Sequence, residues 1–117
     1  MGAPILHFEI MGGQGDQLKN FYSELFGWKV DSDNPMNYGM IDTQSESKGI
    51  AGGVGPNDDG SSRVTVYASV DDMQATLDKA EKLGGKAIMP PTDVPGGPKI
   101  AMFTDPAGNV TGLFNGM

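Results

Sequence analysis

His7 and Glu9 are the side chains of this sequence whose types and spacing are best suited to chemistry. They lie two residues apart in segment 5–10, where apolar residues alternate with others. A period of two is typical of a β-strand with two different faces, so the imidazole and the carboxylate are expected to share one face and line a cavity. His7 can ligate a metal, contact a small molecule or bond a neighbouring residue. Glu9 can act as a general base, bond a ligand or be solvated.

The composition excludes several classes of function. The chain has no cysteine, which removes disulfides, thiolate metal sites and cysteine nucleophiles. Its net charge of -7 disfavours nucleic acids and anionic membrane surfaces as partners. No apolar run approaches the roughly 20 residues of a membrane span, and no secretory signal is evident, so a cytoplasmic location is expected. The glycines of 12–15 lack a phosphate-loop pattern, and 57–59 lack the acidic twelfth position of a calcium loop.

The two halves of the chain repeat the order strand, helix, strand, strand, strand. Apolar stripes at helical spacing predict the helices. The first stripe, which Gly27 closes, comprises Leu18, Phe21, Tyr22, Leu25 and Phe26. The second, with Asp71 as its cap, comprises Met73, Leu77, Ala80 and Gly84. The helix ends align at a spacing of 84 − 27 = 57 residues.

A repeat of this length is one supersecondary unit that needs a partner to bury its apolar face, either the other module of the same chain or a module of a second copy. We therefore predict a single α+β domain over 1–117, built of two βαβββ modules whose mixed sheets curve around a cavity. Module 1 is expected at 1–56, a linker at 57–62 and module 2 at 63–117. Pairing of two copies would close the cavity and cover sheet edges, so a homodimer is expected.

The sequence resembles the vicinal oxygen chelate superfamily, which holds glyoxalases I, bleomycin resistance proteins and extradiol dioxygenases. The resemblance covers essentially the whole chain and is carried by five motifs in a fixed order: His-Phe-Glu-Ile at 7–10, Phe-Tyr with Leu-Phe-Gly-Trp at 21–28, Val-Asp-Asp at 70–72, Leu-Gly-Gly at 83–85 and Asp-Pro-Ala-Gly-Asn at 105–109. The loop at 90–97 is similar to that of the small bacterial proteins related to lactoylglutathione lyase.

The resemblance also implies where a metal would bind, because metal-dependent members take up to four ligands from the first and last strands of each module. The corresponding positions here are His7, Gly52 or Gly53, Thr65 and Gly112. Only His7 keeps a ligand-type side chain, whereas a stable site needs about three or four nitrogen or carboxylate ligands. No metal or other cofactor is therefore expected. A divalent metal on His7, or on His7 with Glu9 and Asp42, remains the alternative.

The function expected from this pattern is metal-independent binding of a small, largely apolar molecule, as in the bleomycin resistance branch. Such ligands need a concave, mostly apolar pocket with few polar groups. The candidate binding residues are His7, Glu9, Thr65, Tyr67, Tyr38 and Met102. For Tyr38 and Met102, and likewise Met40 and Phe103, core packing is the competing interpretation. The alternative function is a metal-dependent lyase, isomerase or dioxygenase using His7, or a metal-free acid–base enzyme using Glu9.

Overall fold

The structure is a computed structural model that describes residues 2–34, 37–43, 49–57, 59–95 and 97–115. The elements in chain order are β1 (Ile5–Gly12), α1 (Gly15–Phe26), β2 (Lys29–Asp31), β3 (Gly39–Asp42), β4 (Ala51–Pro56), β5 (Arg63–Ser69), α2 (Met73–Lys82), β6 (Lys86–Asp93), β7 (Lys99–Thr104) and β8 (Val110–Asn115). This order confirms the α+β class and the two βαβββ modules. In the described ranges, neither helix has the length and apolar character needed to cross a bilayer.

The chain forms two compact units, and the first, the N-terminal unit, runs from His7 to Val64. Its strands are ordered β2-β3-β4-β1. β1 pairs in parallel with β4, whereas β3 is antiparallel to both β2 and β4. The parallel register sets Glu9 beside Gly53. Side chains alternate along β1, so the polar face of this strand adjoins a glycine of β4 that has no side chain.

The predicted apolar stripe of α1 is only partly correct. Phe21, Leu25 and Phe26 are 55%, 58% and 56% exposed, and the buried residues of the helix are Gly15 and Lys19. The start of the helix lies close to the end of β4, since a methyl group on Gly15 would lie 2.8 Å from the backbone nitrogen of Pro56.

An aromatic cluster covers one end of α1 in the N-terminal unit. Trp28 is its centre, with ring centroids 5.4 Å from Phe8, 5.8 Å from Tyr22 and 4.9 Å from Phe26. The Tyr22 and Trp28 rings are nearly parallel, at 16°. Aromatic pairs at these separations contribute about 0.5–1.5 kcal/mol each beyond the area that they bury. The cluster therefore ties the end of α1 to the strand that carries His7.

The second unit, the C-terminal unit, comprises residues 65–117 together with 1–6. Its strands are ordered β5-β8-β7-β6, with β5 parallel to β8 and the other pairs antiparallel. One core cluster joins α2 to the sheet and contains Met73, Leu77, Ala101 and Leu113. A separate buried cluster contains Tyr67, Met102 and Phe114. Both buried helix residues belong to the predicted stripe, which is thus correct for Met73 and Leu77.

Two local predictions in the C-terminal unit are wrong. The cap of α2 is Asp72, whose Oδ1 accepts a hydrogen bond from the backbone N–H of Ala75 at 2.9 Å, and not Asp71. Strand β6 also continues through Pro90 and Pro91, which we expected to begin a loop. Proline is tolerated there because β6 ends the strand order of its unit and its pairing with β7 shifts register in this region.

Candidate functional site

The polar face of β1 carries a hydrogen-bonded chain of side chains. His7 Nε2 lies 3.0 Å from the Tyr38 hydroxyl oxygen. That hydroxyl donates to Glu9 Oε2, also at 3.0 Å. Tyr38 thus bridges the two side chains that the sequence selects for chemistry, across 31 and 29 positions of the chain.

Arg63 completes the chain from the other side of Glu9. Its Nη2 donates to Glu9 Oε1 at 3.1 Å and forms an ion pair with it. The Glu9 side chain is only 11% exposed, so its charge requires compensation, which the guanidinium supplies. Both carboxylate oxygens of Glu9 are consequently engaged by neighbouring side chains. This geometry suits a fixed hydrogen-bond acceptor better than an available general base.

The hydrogen-bond order fixes the tautomer of His7. Because the single hydroxyl proton of Tyr38 is donated to Glu9, the oxygen of Tyr38 accepts from His7 Nε2–H. Burial lowers the pKa of His7 below 6.5, although the charge of Glu9 acts in the opposite direction. At neutral pH the imidazole is therefore uncharged. The four groups together carry one negative charge and one positive charge, so the cluster is electrically neutral.

The backbone around Tyr38 is held by side chains on both sides. Asn34 accepts a hydrogen bond from the Tyr38 N–H at 2.9 Å and donates to the Tyr38 carbonyl at 2.6 Å. Lys19, although buried, donates through Nζ to the carbonyl of Asn37 at 2.6 Å. Asn37 has a φ of 53°, a left-handed conformation that asparagine adopts more readily than most residues. These bonds fix where the Tyr38 ring enters the site.

The Tyr38 ring occupies the space above Gly53. A Cβ atom built on Gly53 would overlap the hydroxyl and ring of Tyr38. The C-terminal unit contains a second pair of this kind, because a Cβ on Gly112 would overlap the Tyr67 ring. Tyr67 and Gly112 are register partners on β5 and β8. Tyrosine rings thus fill the volume that a side chain at either glycine would need.

These observations bear on the metal that the resemblance implies. The expected ligand position in β4 is Gly52 or Gly53, and a Cβ atom on Gly52 would overlap the Phe8 ring whereas one on Gly53 would overlap Tyr38. Gly112 lies beneath Tyr67, Thr65 is neutral, and His7 already bonds Tyr38 through Nε2. Among the described residues, no group of three or more histidine, cysteine, aspartate or glutamate side chains could hold a metal ion. Asp42 lies in β3 opposite Lys29. The side chains that the structure describes at the expected ligand positions do not fit a divalent metal.

The other candidate binding residues lie in the C-terminal unit and are buried. Thr65, Tyr67 and Met102 are 2%, 3% and 4% exposed. Tyr67 and Met102 pack with Phe114 in one apolar cluster, and the Thr65 hydroxyl has no hydrogen-bond partner among the described residues. A buried hydroxyl without a partner costs about 1–3 kcal/mol. Thr65 is thus a polar group on a strand whose neighbouring positions are largely apolar.

Sequence reasoning missed Arg63 and Asn34. Arg63 is 54 residues from its partner Glu9, so no local spacing links the two. Asn34 lies in the Asp-Asn-Pro segment at 33–35, whose residue types are typical of a turn. The sequence contains a weak indication of each residue. Arg63 is the first residue of the strand after the linker, and an asparagine shortly before Tyr38 can bond the nearby backbone. Neither signal indicates which side chain it would serve.

Comparison with known proteins places this chain in a family. The sequence profile of the Glyoxalase/Bleomycin resistance protein/Dioxygenase superfamily matches residues 4–113. CFP32 of Mycobacterium tuberculosis, a glyoxylase by name, is 33% identical over 103 residues, which cover 82% of this chain and 39% of that protein. The anthracycline biosynthesis protein DnrV of Streptomyces peucetius is 36% identical over 106 residues, covering 76% of this chain and 38% of DnrV.

A solved structure shares the fold. The Mn(II)-bound glyoxalase of Novosphingobium aromaticivorans superposes with a TM-score of 0.68 at 18% identity, covering 97% of this chain and 38% of that one. The segment that matches CFP32 and DnrV spans about two-fifths of the length of these two relatives. The match over residues 4–113, the identity to its relatives and the shared fold agree on one assignment. This chain belongs to the Glyoxalase/Bleomycin resistance protein/Dioxygenase superfamily.

Proposed function

We propose that this protein binds a small, largely apolar molecule without a resident metal, in the cavity that the repeated sequence predicts. The observation that carries the proposal is the pair of tyrosines over Gly53 and Gly112. A metal ligand introduced at either glycine would collide with a ring that is already there. The positions therefore serve packing, and the polar groups that remain are suited to orienting a ligand.

The His7–Tyr38–Glu9–Arg63 chain supports this assignment. It is neutral overall and internally hydrogen-bonded, which limits the cost of placing an apolar ligand beside it. A general base on Glu9 is less well supported, because that carboxylate accepts from both Tyr38 and Arg63. Pockets for small molecules typically combine apolar walls with a few fixed polar groups.

Metal content tests the first half of the proposal. We expect protein dialysed against Ni²⁺, Zn²⁺, Mn²⁺ or Fe²⁺ and then desalted to retain far less than one ion per chain by mass spectrometric metal analysis. EDTA should leave the melting temperature unchanged, since no ion stabilises the fold. Stoichiometric metal that disappears in the His7→Ala variant would defeat the proposal.

Ligand binding tests the second half. The name of DnrV recommends an anthracycline as one probe, and the family name recommends bleomycin as the other. A ligand present at 100 times its Kd raises the free energy of unfolding by about 2.7 kcal/mol, which a thermal melt detects. We expect at least one probe to raise the melting temperature of the wild type and to do so less in His7→Ala. If a probe raises the melting temperature of the wild type and of His7→Ala equally, it does not bind at the site of His7.

We further propose that two copies of the chain associate. The matched relatives are more than twice as long as the segment that this chain matches, so they have room for a second copy of the fold. Light scattering coupled to gel filtration distinguishes the monomer mass of 12.3 kDa from twice that value. A monomer at all concentrations tested would reject association.

A further inference from the structure

An open cleft lies between α2 and β7 in the C-terminal unit, and it is separate from the site of His7. Its volume is about 300 Å³. The walls are mostly apolar and include Ala80, Leu83, Phe103 and Pro106. Lys79 and Thr76 stand along the helix side, and Thr104 and Asp105 stand along the strand side. Leu83 is 69% exposed, so its side chain is available at the mouth of the cleft.

The internal repeat indicates what such a cleft accommodates. With the spacing of 57 residues, the cleft residues Lys79, Leu83 and Gly85 correspond to Tyr22, Phe26 and Trp28 of the N-terminal unit. There, the Trp28 indole stacks on Tyr22 at 5.8 Å and packs on Phe26 at 4.9 Å. At the position just after its helix, one module therefore has an aromatic residue that packs on the helix, and the other has a glycine.

The chain cannot fill the cleft from the equivalent position. A Cβ atom on Gly85 would lie 2.5 Å from the carbonyl oxygen of Thr104, so a side chain there would require a shift of the backbone. The apolar walls consequently remain open to water. Burying apolar surface is favourable, and a group that enters between Leu83 and Phe103 would cover both.

We infer that this cleft is a binding site for a small planar aromatic molecule of about the size of indole. Its volume lies at the lower end of the range of small-molecule pockets, which suits one or two rings. Lys79 adds a preference for a π-system, because an ammonium group attracts the face of an aromatic ring. The inference does not depend on the proposed function, since no residue of the His7 cluster contributes to it.

Indole is the probe for this site, and ¹H–¹⁵N correlation spectra of the full chain are the readout. We expect saturable shifts of the backbone amides of Thr76, Lys79, Leu83 and Gly85. Ala80→Leu should fill the cleft and abolish these shifts, and Ala75→Leu, the same change at an exposed position of α2, should retain them. Leu83→Ser removes one wall at an exposed site and should weaken binding several-fold, which keeps the test valid if Ala80→Leu folds poorly.

The aromatic preference is tested separately. Benzyl alcohol and cyclohexylmethanol have similar size and polarity but differ in the π-face, and benzyl alcohol should shift the cleft amides at lower concentration. Indole shifts confined to the residues around His7 would overturn the cleft as the site. Equal titration by the saturated alcohol would overturn the ligand class, and unchanged cleft amides up to the solubility limit of indole would overturn the proposal as a whole.

Discussion

Removing the Tyr38 hydroxyl should destabilise the protein measurably while leaving its ring in place over Gly53. Tyr38→Phe deletes one hydrogen bond to the ionised Glu9 and one from His7, both 3.0 Å long. Hydrogen bonds to charged groups contribute about 1.5–3 kcal/mol and neutral ones about 0.5–1.5 kcal/mol. Because Tyr38 is only partly buried, we expect a total near the lower end, about 2–3 kcal/mol.

Urea unfolding followed by fluorescence measures this loss, and thermal melts provide a second reading. For a domain of this size a loss of 1 kcal/mol lowers the melting temperature by about 4 °C, so the variant should melt roughly 8–12 °C lower. Tyr22→Phe is the matched control, because the Tyr22 ring packs on Trp28 and its hydroxyl bonds none of the described residues. If the two variants differ by less than about 0.5 kcal/mol, the hydrogen-bonded chain contributes no stability and the reasoning fails.

Three further perturbations follow from the same contacts. Gly53→Ala should cost about 1–3 kcal/mol by overpacking against Tyr38, and urea unfolding should show that this cost vanishes in a Tyr38→Ala background. NMR titration of His7 should give a pKa below 6.5, and Glu9→Gln should lower it further. The free energy of unfolding should therefore decrease as the pH falls below 6.5 toward the folded pKa, and less steeply in His7→Asn. Leu77→Ala should lower the free energy of unfolding in urea by about 2–5 kcal/mol, because Leu77 is buried. A decrease of less than about 1 kcal/mol would contradict that burial.

Much of the fold could be predicted because short-range rules decide it. The alternation in 5–10 and the spacing of Met73 and Leu77 reflect the two periods of regular structure, and the structure contains both elements. Gly27 closes α1 with a φ of 70°, a backbone conformation in which only glycine is free of strain. Each of these features depends on residues within a few positions of each other.

The parts that could not be predicted depend on distant contacts. Gly15 of α1 meets Pro56, 41 positions later (56 − 15), and no periodicity within the helix records that contact. The partner of Glu9 is likewise fixed by the arrangement of strands, because Arg63 is far away in sequence. Helical spacing identifies a possible apolar face, but contacts with distant segments decide how much of that face is buried.

The glycines at the expected metal-ligand positions illustrate this limit. From the sequence, Gly53 and Gly112 indicate only that ligands are missing. The structure adds that each glycine lies under a tyrosine ring, supplied in one unit by the segment before β3 and in the other by β5 itself. The two tyrosines therefore come from different positions in their units, yet each covers a glycine in the same way. Loss of the metal ligands alone would not require a tyrosine over each glycine. Replacing either glycine with glutamate would encounter an occupied volume, so restoring one ligand without removing its tyrosine should fail to restore a metal site.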